Sequence, residues 1–119
     1  MALIPFFEAK NYLRVDSSDE DALIGILLSS AQQICLDVAR LTPVQWEAVD
    51  AVKCDEEGQL LPTDTNLYSE EELAAVRGLM RVAILYALGY LYEHREEADH
   101  HALTLTLRSL LFSIREGVL

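Results

Sequence analysis

The chain has 119 residues, 51% of them hydrophobic, which suits one domain with a real core and excludes a disordered polar chain. Nine Lys and Arg stand against twenty Asp and Glu, a formal net charge of −11. So acidic a surface excludes a general nucleic-acid binder, because neutralising phosphates needs a basic face.

The opening MALIPFFEAK has no basic n-region and meets Glu8 too early for a secretory signal, so the expectation is a protein that stays in the cytoplasm where it is made. Pro5 is placed to open a short helix, with Phe6, Ala9 and Leu13 pointing inward. Ser17 and Glu20 have the spacing of a capping box, and Asp19, Glu20 and Asp21 crowd the positive end of the helix that should follow. That helix is expected from about Asp19 to Ala39, burying Leu23, Ile26, Leu27, Ser30, Ile34 and Val38, with Ala31 beside them. The acid cluster at its start lacks the alternating ligands and turn glycine of a calcium loop.

Thr42-Pro43 ends this helix and caps a short third one, Pro43 to about Val49, where Gln45 completes a box. Trp46, the single tryptophan, reads as a core anchor or an interface residue. Lys53 to Tyr68 breaks the helical pattern and reads as a long loop or small hairpin, with a turn at Asp55-Glu56-Glu57-Gly58. The chain is then dominated by one stretch, Ser69 to Glu97. Ser69 and Glu72 form a capping box, and Leu73, Val76, Met80, Ile84, Ala87 and Leu91 draw one apolar stripe. Leu79, Val82, Ala83, Tyr86 and Tyr90 draw a second on the neighbouring face. A helix apolar on two faces must be covered on both, by the rest of the chain or by another subunit. Its most apolar run, Val82 to Leu88, is short for a bilayer, and no membrane association is expected. A final helix is expected from about Leu103 to Arg115, packing Leu103, Leu107, Leu110, Leu111 and Ile114 inward and stopping at Gly117. The pattern predicts a single all-α domain over residues 1–119, with four to five helices around the long one.

No catalytic constellation stands out. Cys35 and Cys54 make neither a CxxC pair nor a zinc spacing, and read as buried, reduced thiols. His94, His100 and His101 lie near acids but lack metal-site spacing, and no phosphate loop or nucleophile motif is present. Neither an enzyme, a metal nor a cofactor is expected. Arg77, Arg81 and Arg95 are notable on a core helix of a cation-poor chain. They suit either a pairing with a local Glu or an ion pair across a subunit contact. Glu116-Gly117-Val118-Leu119 ends on two apolar residues, so Val118 and Leu119 join Trp46, Arg77, Arg81, Tyr90 and Arg95 as candidate subunit or partner contacts.

Three segments, FEAKNYLRVDSSDEDALIGILLSSA, AILYALGYLYEHRE and LRSLLFSIRE, occur in that order. They resemble the small head–tail connector proteins of long-tailed double-stranded DNA phages. Those share an "EAK-x-x-LR-[IV]-D" opening, an acidic helix start, a long apolar helix ending in "YE-x-RE" and a closing "LL-x-x-x-R" helix. The resemblance covers the chain outside Leu41 to Tyr68. It departs where such proteins often carry a proline before the last helix; here His100-His101-Ala102-Leu103 stands instead. The resemblance implies a virion protein of the head–tail junction, assembled in the bacterial host cytoplasm. It would form a homo-oligomeric ring matching the portal, with the portal protein on one side and the next head-completion or tail protein on the other. DNA would pass through its channel without sequence-specific binding. A small dimeric helical regulator or adaptor, using the long helix as its seam, is the alternative from another class. A cofactor-free enzyme subunit is the weaker one, given the missing site.

Overall fold

The computed structural model describes residues 3–50, 69–94 and 100–117. It is all-α, and among the described residues it has six helices and no strand. These are α1 (Phe6–Leu13), α2 (Asp21–Ala39), α3 (Pro43–Asp50), α4 (Glu70–Glu93), α5 (His101–Leu110) and α6 (Phe112–Glu116). The expected hairpin between Lys53 and Tyr68 lies outside the described residues.

Pro5 sits one position before α1, as its N-cap, and its carbonyl accepts from the Glu8 and Ala9 amides. Ala9 is buried and Leu13 half-buried, but Phe6 is exposed, against the inward position expected for it. Arg14 ends α1 at φ 59°, and Arg40 ends α2 at φ 58°. Each closes a Schellman turn: the Arg14 and Val15 amides donate to Asn11 and Lys10, and the Arg40 and Leu41 amides to Asp37 and Leu36.

α2 differs from expectation at its start and in its buried face. The Ser17–Glu20 box does not form; Glu20 is the N-cap without a side-chain capping bond. Its carboxylate instead accepts from the Tyr92 hydroxyl at 3.1 Å, tying the start of α2 to the end of α4. The buried residues are Ile24, Leu28, Ala31, Cys35 and Ala39, a face rotated from the predicted one, which leaves Ile26 65% exposed. Leu23, Leu27, Ile34 and Val38 lie on the same broad apolar arc as the buried residues, so periodicity had little to choose between its two sides. The face turned inward carries the small residues Ala31, Cys35 and Ala39, which allow a neighbouring helix to come close.

α3 opens on its expected box: the Gln45 amide donates to Thr42 Oγ1, and the Thr42 amide to Gln45 Oε1. α4 opens on the Ser69–Glu72 box and ends at Glu93, with His94 as its C-cap, short of the expected Glu97. Its predicted first stripe is buried throughout, joined by Ala83 and Leu88. α4 packs against α1, α2, α3 and α5, while α2 packs against α1, α4, α5 and α6. The centre is therefore the α2–α4 pair rather than one helix. By length and hydropathy both could cross a membrane; here they pack on each other and supply most of the buried core. The predicted last helix is interrupted at Leu111 (φ −103°, ψ 13°) and divides into α5 and α6. Thr104 and Thr106 hydroxyls donate back to the His100 and Ala102 carbonyls, a pattern that bends helices. Gly117 stops α6 at φ 68°, where only glycine is unstrained.

Candidate subunit interface

The arginines of α4 are turned to the inside of the chain. Arg77 donates from Nε to the Val49 carbonyl and from Nη2 to the Ala48 carbonyl, each at 3.1 Å. These carbonyls belong to the last described turn of α3. Arg81 Nη1 donates to the Leu3 carbonyl at 2.8 Å, and its guanidinium forms an ion pair with Glu8. It thereby pins the N-terminal segment and α1 onto α4. Sequence reasoning expected a local Glu or a neighbouring subunit for both; the partners found are remote segments of the same chain. Arg95, Val118 and Leu119 lie outside the described residues.

Trp46 is half-buried against the core. Tyr90 is also half-buried; its ring stacks on His94 at 4.2 Å between centroids and meets His100 edge-on at 6.1 Å. His94 Nδ1 lies 2.9 Å from the Tyr90 carbonyl. The histidines thus close the end of α4 as an aromatic cluster, and among the described residues no group of three metal-ligating side chains occurs. Burial pushes the Cys35 thiol up to about 12, so it stays protonated near neutrality and is a poor nucleophile.

Among the described residues apolar side chains stay exposed on several helices, Phe7, Ile26 and Val44 among them, and two such surfaces bear on assembly. The first is the second stripe of α4. Ala83 from that stripe is buried and Leu79 and Tyr90 are half-buried, but Val82 is 57% and Tyr86 41% exposed. At 100° per residue, Glu71 and Glu93 fall on this same face, so exposed carboxylates bracket the apolar stretch. Tyr12 of α1 lies alongside, its ring against Gly89 of α4.

The second surface was not anticipated. Leu105 (51% exposed) and Phe112 (57%) lie on the outer side of α5–α6, where they line a shallow groove with Arg108, Ser109, Arg115 and Glu116. Arg115 Nε has no acceptor among the described residues. The signal was present in the sequence: Leu105 and Phe112 are seven apart and off the inward stripe, and Arg108 and Arg115 repeat the same spacing. No family model matches this chain, and no curated protein or solved structure matches it.

Proposed function

We propose that the protein is a structural virion protein, a head–tail connector that assembles as a ring beneath the portal and extends the DNA channel towards the tail-side proteins. The observation that carries this reading is the α4 stripe. Its first face builds the core, while Val82 and Tyr86 on its second face are left in water by every described part of the chain. An apolar stripe continuous with the core and rimmed by charge is the form an interface takes before its partner arrives. The three segments that resemble those of phage connectors, in the same order, support the same role. An acidic wall would let DNA slide through without adhering, since like charge repels phosphate.

A dimeric regulator built on an α4 seam is the competing reading, and mass separates the two. Native mass spectrometry and negative-stain imaging over a concentration series should show ring-sized particles. Cosedimentation with DNA-filled, portal-bearing heads should show attachment. A strict monomer or dimer that ignores such heads would sink the connector reading.

A further inference from the structure

We infer that the α5–α6 face of one copy docks on the exposed α4 face of the next, a head-to-tail contact between two different surfaces of the same chain. This rests on the assembly reading above and names the surfaces that make it.

Three observations fit the two faces to each other. Each carries two exposed apolar side chains, Val82 and Tyr86 on the first and Leu105 and Phe112 on the second. Their charges are opposite: Glu93 lies seven residues beyond Tyr86 on the first face, about 10 Å along the helix, while Arg108 and Arg115 stand on the second, with Glu116 at its edge. Finally, among the described residues these arginines are the ones left for such a contact. Lys10 pairs with Asp21 and Arg81 with Glu8, Arg77 is held by the carbonyls of α3, and Arg14 and Arg40 each stand at a separate helix stop. Arg108 and Arg115 share one face with two exposed apolar side chains. A second copy of this acidic chain offers the complementary carboxylates.

The test uses full chains with reversed charge. One carries Arg108→Glu and Arg115→Glu, the other Glu93→Lys. Each is followed by analytical ultracentrifugation and native mass spectrometry beside the unchanged chain, with circular dichroism melts to confirm folding. Each variant alone should need at least about tenfold more protein to assemble. An equimolar mixture should assemble again with the two chains in equal number, because both junctions in an alternating array are then complementary. A third variant, Leu105→Ser with Phe112→Ser, changes exposed residues only, and should fold normally and fail to assemble. If the unchanged chain assembles and the Arg108→Glu/Arg115→Glu chain assembles equally well alone, the head-to-tail contact is wrong while the ring reading stands. If the unchanged chain never assembles, both are overturned.

Discussion

Replacing Arg77 by Met tests whether this arginine belongs to the fold or to a subunit contact. Met keeps much of the apolar stem and removes the guanidinium. The change strips donors from the Ala48 and Val49 carbonyls, both at the end of α3, where a positive charge also complements the helix dipole. A hydrogen bond to a charged group is worth about 1.5–3 kcal/mol, so two set an upper range of roughly 3–6 kcal/mol. Arg77 is only part-buried, and water can reach the freed carbonyls, which brings the expected cost to about 2 kcal/mol. For a domain of this size that lowers the melting temperature by roughly 8 °C. Arg77→Lys should recover about half, because a single ammonium reproduces the two-pronged geometry poorly. The assay is urea and thermal unfolding at protein concentrations low enough to keep the subunit dispersed. An Arg77→Met chain that melts like the unchanged one, yet no longer assembles, would refute the intrachain role and return Arg77 to the interface.

Arg81→Ala and Glu8→Gln, singly and together, should show a coupling of about 1 kcal/mol, because both side chains are about a third exposed; a coupling near zero in a double-mutant cycle would deny the pair any role in holding α1. Arg40→Gly should raise stability by about 1 kcal/mol in a urea titration, since it removes a side chain from a left-handed backbone position at the end of α2; a loss instead would mean that the Arg40 side chain makes a stabilising contact. In a Cys54→Ser background, Cys35 should resist thiol reagents at pH 8 in the folded protein and react on unfolding. The folded pKa of Cys35 is raised from 9.0 to about 12 by burial, so its contribution is complete below pH 9 and is lost as pH rises from about 9 to 12; stability rising over that window would contradict the burial.

What the sequence disclosed was local. The Thr42–Gln45 and Ser69–Glu72 boxes form as read, because both partners lie within one turn and no remote group competes. The Ser17–Glu20 pattern is equally good on paper and fails, because Glu20 has a partner 72 residues away in Tyr92. The buried stripe of α4 was legible because polar residues interrupt its other faces. In α2 the apolar arc is broader than the face that packs, so side-chain size at Ala31, Cys35 and Ala39, rather than hydrophobic period, marks that face. The arginines show the same limit. Composition made Arg77 and Arg81 conspicuous, but their acceptors include the backbone carbonyls of Leu3, Ala48 and Val49, which carry no sequence signature.

Turning Arg77 and Arg81 inward has a consequence for assembly. Arg77, engaged by backbone carbonyls, does little to offset the carboxylates outside, and Arg81 and Glu8 cancel each other, so the surface stays strongly acidic. Copies of such a chain repel one another, and that repulsion must be overcome locally wherever they meet. An α4 face meeting its own copy would bring Glu71 and Glu93 towards each other's equivalents and add to the repulsion. An α4 face meeting α5–α6 would set Glu93 near Arg108 and Arg115 while covering Val82 and Tyr86. Contacts between unlike surfaces propagate in one direction, and close into a ring when the rotation per copy divides a full turn. In the proposed ring the same charge pattern would therefore oppose a symmetric dimer and favour head-to-tail contacts, with the remaining carboxylates free to face the channel.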